Sequence, residues 1–290
     1  MTISPLAGET GSLPTMSGYD FTCAAATVRE GVAEVSLSAS GKGNRMGPDY
    51  WAQMAPLFER LDADDAVRVV LLSGQGEHFS YGLDLASMAG ELAELTAPDA
   101  RAATRQKFLS TVKKMQHAHD AVARCRKPVI AAVQGWCIGG GVDLITACDV
   151  RLAASNAKFS VREVKLAIVA DVGTLARLPA IVGQGAAREL AFTGDDIDAT
   201  RALRLGLVSE VFESPAALMT AARAMAARIA KNPPLTVQGI KQVMNFSSER
   251  EAQLSLDAVA LWNSAFFPSE DLQEAMAAFI EKREPTFRGA

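Results

Sequence analysis

Two acidic side chains stand close together in a stretch of sequence that is otherwise largely apolar. Asp171 directly follows the run LAIVA at 166–170, and Glu163 lies eight positions before it. A carboxylate among apolar neighbours is costly unless it is paired, neutralised by a proton or used in chemistry. Two interpretations follow: salt bridges or helix caps, or acidic groups that transfer protons.

A glycine-rich turn is the second feature with chemical potential. In GWCIGGGVDLITACD (135–149), a predicted strand ends at Val133, and Gly139, Gly140 and Gly141 open a predicted helix. Glycines let the backbone approach a ligand closely, and the free N–H groups of a first helical turn favour an anion or a developing oxyanion. The alternative is a tight turn in which glycine only lets the strand and the helix pack.

A similar turn occurs earlier, in GEHFSYGLDLASM (76–88). There Gly82 precedes Leu83, Asp84 and Leu85 after a predicted strand. Taken alone, the stretch is typical of an ordinary turn.

The composition limits the classes of protein to which the chain can belong. Its 290 residues suffice for one large domain or a domain with an appendage, and 49% of them are hydrophobic while 21% are charged. The net charge of −4 argues against a nucleic-acid partner. The four cysteines are scattered without a C-x-x-C pair, and His117 and His119 face different ways on a helix, so neither a disulfide scaffold nor a metal site is expected.

Targeting features are not apparent in the sequence. No apolar run reaches the length of a membrane span, and residues 1–17 lack the basic start and apolar centre of a secretory signal. Residues 1–17 are instead predicted to be a flexible tail. Together with the scattered cysteines, these features predict a cytoplasmic protein without a membrane partner.

Apolar runs alternate with helical patterns in the first three quarters of the chain. The predicted strands lie at 31–40, 66–74, 127–135, 150–160 and 207–214, and the predicted helices lie at 49–64, 103–125 and 141–149. Strands that are continuous apolar runs between helices predict an α/β fold with a mainly parallel sheet that is buried on both faces.

The chain changes character after residue 214. Segments such as SPAALMTAARAMAARIAKNPP and SEDLQEAMAAFIEKREP have helical patterns and begin at Ser or Pro. We therefore divide the chain into a predicted α/β core over 18–214 and a predicted helical region over 215–290. The helical region carries more apolar residues than a short appendage can bury alone, namely Leu254, Val259, Leu261, Trp262 and Phe266.

A series of motifs runs through the chain in a defined order. They are KGNRM (42–46), the GLD of the first turn, CRKPVIAAVQG followed by GGG, ELAFTGDDIDATRALRLGLVSEV, and the closing AFIEKREPTFRG. In this order they resemble the crotonase (enoyl-CoA hydratase/isomerase) superfamily over about residues 28–285. The resemblance implies a spiral of repeated β-β-α units, followed by C-terminal helices that build trimers, often paired into hexamers.

The resemblance also gives the two turns a shared role. In the family, two backbone N–H groups form an oxyanion hole for the thioester of an acyl-CoA. The matching donors here are the N–H groups of Leu83 and Gly140. Gly82, Asp84 and Leu85 belong to the same substrate-binding loop.

The acidic residues resemble one subgroup of the family. Common hydratases carry Glu at the position of Asp143 and glycine at the position of Asp171. The stretches GGGVDLITACDVR and REVKLAIVADVGTLARLP instead resemble the Δ3,5-Δ2,4-dienoyl-CoA isomerases, although KLAIVAD is bulkier than the subgroup's glycine-containing version. The resemblance implies that Asp171 takes a proton from C2, that Glu163 delivers one to C6, and that Asp143 orients or tunes them.

The substrate would bring its own CoA, so no separate cofactor and no metal is implied. Lys42, Arg45, Lys282 and Arg283 are predicted on charge and analogy to meet the CoA phosphates.

Three alternatives stay open at this point. One is a 2-enoyl-CoA hydratase, which needs two acidic groups to position a water molecule. A second is another acyl-CoA isomerase or lyase of the family. A third is a non-catalytic homologue that binds RNA or acts as a scaffold, against which the net negative charge argues.

Overall fold

The computed structural model describes residues 19, 21–38, 43–96, 101–266 and 269–289. The predicted tail at 1–17 and the predicted CoA-binding residue Lys42 lie outside these described residues.

A mainly parallel sheet organises the fold. In spatial order its strands are β1 (Ala24–Arg29), β2 (Val32–Leu37), β3 (Val69–Gly74), β4 (Val129–Val133), β6 (Val150–Ala154) and β9 (Glu210–Phe212). β1 is antiparallel to β2, and every other neighbouring pair is parallel. A smaller sheet joins β5 (Trp136–Ile138), β7 (Lys158–Ser160) and β8 (Ile197–Asp198). The predicted α/β class with a parallel sheet is confirmed.

Helices pack on the sheet, and in the chain they lie between its strands and after the last of them. They are α1 (Pro48–Ala63), α2 (Leu85–Thr96), α3 (Ala102–Arg124), α4 (Gly140–Thr146), α5 (Thr174–Val182), α6 (Gln184–Thr193), α7 (Ala199–Arg204), α8 (Pro215–Ala230), α9 (Pro234–Phe266) and α10 (Glu270–Glu281), with a 3₁₀ helix at Glu163–Leu166. Within the ranges that the structure describes, no helix is long and apolar enough to cross a membrane.

Both faces of the sheet are buried, and alternate residues of β3 serve the two faces. Val70 and Leu72 belong to the core beneath α1 and α3. Val69 and Leu71 belong to a second core with α8, which presents buried residues at every fourth position. These residues of α8 are Leu218, Ala222, Ala226 and Ala230.

The start of the C-terminal helices coincides with the predicted change in character near residue 214. α8 begins at Pro215, and the Ser214 hydroxyl accepts a hydrogen bond from the N–H of Ala217 as its cap. Because α8 packs on the sheet, the first C-terminal helix contributes to the same core. The division into two regions at this point stays a prediction.

Several elements differ from the sequence-based prediction. The predicted strand at 150–160 is two strands, since the N–H of Ala157 bonds to the carbonyl of Ala154 and turns the chain between them. The segment 234–266 is one helix, although Gly239 and the pair Ser247 and Ser248 resemble interruptions. Residues of low helix propensity cost about 1 kcal/mol or less each, and burial of one helix face offsets that cost.

Candidate active site

A cleft of about 630 Å³ gathers most of the residues singled out in the sequence. Its walls come from the loop after β3, the start of α4, the segment around the 3₁₀ helix, and α10. Lining residues include Leu83, Gly140, Asp143, Glu163 and Asp171.

The two glycine-containing loops touch at the cleft. Gly82 has a φ of +74°, and a Cβ atom there would lie 2.5 Å from the carbonyl oxygen of Ile138 and 2.9 Å from the nitrogen of Gly140. A Cβ atom on Gly140 would lie 3.7 Å from the nitrogen of Leu83. Glycine is therefore required for the approach of one loop to the other, and this approach brings the two predicted N–H donors close together.

Hydrogen bonds to Met46 fix the first of these loops. Its N–H bonds to the carbonyl of Gly82 at 2.8 Å, and its own carbonyl accepts from the N–H of Asp84 at 3.1 Å. Among the described residues, the N–H groups of Leu83 and Gly140 have no acceptor. Both are thus available to a bound oxygen atom.

Asp143 lies in the first turn of α4 and is 1% exposed. Its Oδ1 accepts a hydrogen bond from the N–H of Thr174 at the start of α5, and its Oδ2 has no partner among the described residues. Burial raises the pKa of Asp143 to about 6, although Thr174 and the Arg177 guanidinium oppose that rise.

Glu163 begins the 3₁₀ helix and points its carboxyl group back toward α4. Its Oε1 would lie 3.2 Å from a Cβ atom on Gly139, and its Oε2 is buried without a partner in the described part of the chain. Burial raises the pKa of Glu163 well above its usual value, and the charges of Asp143 and Asp171 add to the effect. Glu163 therefore keeps its proton to a higher pH than an exposed glutamate does.

The basic neighbours of Glu163 do not neutralise it. Arg162 bonds to Asp196, and the Nζ atom of Lys165 lies 4.0 Å from Asp195. Within the described residues, no ion pair includes Glu163 or either of the other two cleft carboxylates. A salt bridge therefore does not account for these acids.

Asp171 is held by an amide from α9. Its Oδ2 accepts a hydrogen bond of 2.7 Å from Nδ2 of Asn263. Burial raises the pKa of Asp171 to about 7; the hydrogen bond from Asn263 lowers it, and the charge of Asp143 raises it. Asp171 thus ionises near neutral pH.

The backbone carbonyls of Asp171 and Val172 are anchored to α3. Gln116 donates through Nε2 to the carbonyl of Asp171 at 2.7 Å and to that of Leu256 at 2.9 Å. The Nδ1 atom of His119 donates to the carbonyl of Val172 at 3.3 Å, because a carbonyl can only accept. Its Nε2 then accepts from the hydroxyl of Tyr50 at 3.0 Å.

His119 is therefore a structural residue, as its sequence context predicts. Burial lowers the pKa of His119 to about 3, so the ring is neutral. Next to His119 on α3, a buried ion pair between Asp120 and Arg177 holds α5 beside the site. Sequence reasoning missed Gln116 and Asn263. The only sign of either residue in the sequence was a single amide side chain at a position that helical spacing places on the buried face of its helix.

The structure places only some of the predicted substrate-binding residues in the cleft. Arg45, Asp84, Leu85 and Arg283 line the cleft. Lys282 does not line it, since it ends α10 in the left-handed conformation with its side chain exposed. The bulky segment before Asp171 does reach the cleft, through Leu166 and Ile168.

Taken together, the geometry suits proton transfer beside a developing negative charge. Asp143, Glu163 and Asp171, whose pKa values are raised by burial, face one cleft together with two N–H groups that have no acceptor among the described residues.

Comparison with known proteins agrees with this geometry. Residues 27–290 match the family model described as enoyl-CoA hydratase/isomerase. The chain belongs to this family.

Several members of the enoyl-CoA hydratase/isomerase family are similar over most of their length. A mitochondrial Δ(3,5)-Δ(2,4)-dienoyl-CoA isomerase of Dictyostelium discoideum is 42% identical, covering 89% of this chain and 87% of the relative. A peroxisomal isomerase of the same name from Arabidopsis thaliana is 44% identical, covering 84% and 88%. The solved enoyl-CoA hydratase/isomerase from Pseudoalteromonas atlantica T6c has a TM-score of 0.79 at 26% identity, covering 92% of this chain and 100% of that chain. The predicted crotonase-type fold is confirmed.

The same comparison corrects the predicted location. The cytoplasmic assignment is wrong, because the similar isomerases are named mitochondrial or peroxisomal. The cytoplasmic prediction was based on the lack of a membrane span and of a secretory signal and on scattered cysteines, and these features do not bear on delivery to those organelles.

The raised pKa of Asp171 makes a stability prediction for the Asp171→Asn variant. In the unfolded chain the carboxyl group ionises near pH 4, whereas in the folded chain it ionises at about 7. The contribution of protonated Asp171 to the free energy of unfolding of the wild type is therefore lost as the pH rises from about 4 through about 7. We expect the melting temperature of Asp171→Asn to exceed that of the wild type by more at pH 8.5 than at pH 5, by a margin on the order of 5 °C.

The exposed Asp195 provides the matched control for this measurement. Its Asn variant should show the same difference from the wild type at both pH values. An equal difference for Asp171→Asn at the two pH values would contradict a buried, late-ionising carboxyl group.

Proposed function

We propose that the chain is an isomerase that converts 3,5-dienoyl-CoA to 2,4-dienoyl-CoA. The observation that carries this proposal is the position of Asp171, a half-buried carboxyl group that lies in the same cleft as Asp143 and Glu163 and forms no ion pair among the described residues. Its similarity to proteins named as dienoyl-CoA isomerases supports the same reaction.

In the proposed reaction, ionised Asp171 takes a proton from C2. The electron pair of that C–H bond moves into the conjugated system, and the thioester oxygen becomes negative. The N–H groups of Leu83 and Gly140 stabilise this oxyanion. Protonated Glu163 then donates its proton to C6, and the two double bonds come to rest between C2 and C3 and between C4 and C5.

The pKa values of the acids match these roles. Glu163 has the strongly raised pKa that an acid needs, and Asp171 ionises near neutral pH, as a base must. After one turnover Asp171 carries the proton and Glu163 the charge, so the cycle closes when the proton returns to Glu163. Asp143 tunes both partners, because its charge raises the pKa of each.

The CoA portion of the substrate would bind near the cationic residues of the cleft. Arg45 and Arg283 line the cleft and are the proposed partners of the CoA phosphates. In this proposal CoA is part of the substrate, and the reaction uses no further cofactor.

A 2-enoyl-CoA hydratase is the second candidate. Asp143 and Glu163 each leave one buried carboxyl oxygen without a partner among the described residues, and such a pair can hold a water molecule. Family members named as hydratases match this chain at lower identity. The charge and volume of Asp171 at the same cleft argue for the isomerase.

The Asp171→Asn variant tests the isomerase directly. It keeps the size of the side chain while removing the base, so turnover of 3,5-dienoyl-CoA should fall by about 10²–10⁴-fold. Assays of 3,5-dienoyl-CoA and 2-enoyl-CoA side by side, on the samples used for melting, give the measurement. Retained dienoyl-CoA turnover with lost stability would identify Asp171 as structural, and faster hydration of 2-enoyl-CoA by the wild type would favour the hydratase.

Two substitutions of Gly140 test the oxyanion hole. Gly140→Pro removes the N–H and should lower turnover by about 10²–10³-fold. Gly140→Ala keeps the N–H and requires only that the flexible Met46 side chain move, since its Sδ lies 2.7 Å from the added Cβ. We expect the alanine variant to retain far more turnover than the proline variant. Equal turnover of two folded variants would refute the placement of the donor.

We also propose that the chain forms a trimer or a dimer of trimers. α9 leaves large apolar side chains exposed along its length, including Val243, Phe246, Leu261 and Trp262. Their exposed surface is more than monomeric proteins usually leave in one region, and a second copy of this chain would cover it.

Sedimentation at micromolar concentration tests this assembly. The wild type should sediment with three or six times the mass of one chain, whereas Phe246→Asp should shift toward the monomer, because Phe246 is 84% exposed and a charge would be buried at the interface. Phe192→Asp is the control, since Phe192 lies on α6, away from α9, and is similarly exposed. A monomeric wild type would overturn the proposal.

A further inference from the structure

A buried asparagine contacts Asp171, the proposed base. Asn263 lies in the C-terminal part of α9 and is only 2% exposed. Its Nδ2 group donates to Oδ2 of Asp171 at 2.7 Å and to the carbonyl of Val169 at 2.8 Å. One amide group therefore holds the carboxylate and the backbone two residues before it.

The two hydrogen bonds of Asn263 differ in how their strength depends on pH. The bond to Val169 joins neutral groups and ties α9 to the loop at any pH. The bond to Asp171 is stronger when the carboxyl group is ionised, since hydrogen bonds to charged groups are roughly twice as strong as neutral ones. It therefore favours the charged form of Asp171 in a cleft where burial favours the neutral form.

The backbone N–H of Asp171 also lowers the pKa of its carboxyl group, by less than Asn263 does, and no other side chain that faces Asp171 replaces this donor. α4 contributes Asp143 and the 3₁₀ helix contributes Glu163, and both are acids that disfavour a second negative charge. α3 contributes Gln116, which bonds to the backbone carbonyl of Asp171, and neutral His119. The charged residues of the cleft lining are Arg45, Asp84, Arg162, Lys165 and Arg283, and none of them forms an ion pair with Asp171 among the described residues.

We propose that Asn263 is a positioning residue that keeps the Asp171 carboxylate ionised and aimed into the cleft. This inference rests on the proposed isomerase function, in which Asp171 is the base. A purely structural role, as an anchor of α9 on Val169, is the alternative that a test must separate.

The test uses Asn263→Ala, Asn263→Asp and a matched control. Alanine removes the donor, and aspartate places an isosteric acid against Asp171. Ser264→Ala is the control, because Ser264 is buried beside Asn263 on α9 and its hydroxyl donates to Ala260 within the helix, without contact to Asp171.

The first measurement is the pH profile of kcat/KM for 3,5-dienoyl-CoA between about pH 5.5 and 9.5. Loss of a hydrogen bond to a charged group should shift the acid limb of Asn263→Ala upward by about one to two pH units. Its activity should then be about 10- to 100-fold below the wild type at pH 6 and within about 3-fold at pH 9.5. Asn263→Asp should shift the limb at least as far, and Ser264→Ala should keep the wild-type profile. The same fractional loss at every pH would overturn the proposal.

The second measurement does not depend on activity. If Asn263 stabilises the ionised carboxylate, the melting temperature of Asn263→Ala should fall further below the wild type at pH 9 than at pH 5. In an Asp171→Asn background this pH dependence should vanish, because no carboxylate is left to stabilise. A pH-independent deficit in both backgrounds would assign Asn263 to anchoring α9.

The two measurements also separate this inference from the proposed function. Wild-type protein that fails to turn over 3,5-dienoyl-CoA would end the isomerase proposal, and the melting data would still decide the contact between Asn263 and Asp171. Active wild-type protein with an unshifted Asn263→Ala profile would overturn the positioning role alone.

Discussion

Burial and mutual repulsion disfavour ionisation of Asp143, Glu163 and Asp171 together, and the rest of the structure accommodates this constraint. The three acids come from a helix start, a 3₁₀ helix and a loop, and their hydrogen bonds differ: the N–H of Thr174 donates to Asp143, Asn263 donates to Asp171, and one oxygen of Glu163 has no partner among the described residues. Differences in those contacts separate the pKa values of chemically similar groups, since each acid loses a different share of its hydration and gains different hydrogen bonds. The three acids thereby lose their protons at different pH values.

Helices far from the cleft in sequence keep these acids in place. α3 reaches the loop at Asp171 through Gln116 and His119, and α9 reaches it through Asn263. α9 in turn is tied to α3 at Leu256. The loop is therefore held between two helices rather than by its own sequence, which explains how a segment with little secondary structure can hold a carboxyl group in a defined position.

The parallel sheet could be predicted from the sequence because its strands are buried on both faces and appear as apolar runs. β1 was not predicted, since exposed residues interrupt its buried ones and it lacks a continuous buried run. β5 and β8 were not predicted because they have only three and two residues. In the site, the glycine-rich turns and the acidic residues within apolar stretches could be recognised as local sequence patterns. Gln116 and Asn263 were not, because their partners lie 55 and 92 positions away and only the folded chain brings them together.

The apolar run before Asp171 has a consequence for how such a sequence can evolve. An apolar side chain at Asp171 would suit its surroundings better than a carboxylate, so random substitution under selection for thermal tolerance alone would tend to remove the acid. An aspartate persists at position 171 only if another selective pressure is stronger than selection for heat resistance. In descendants of this sequence, replacement of Asp171 by an apolar residue would mark lineages in which that pressure has been relaxed.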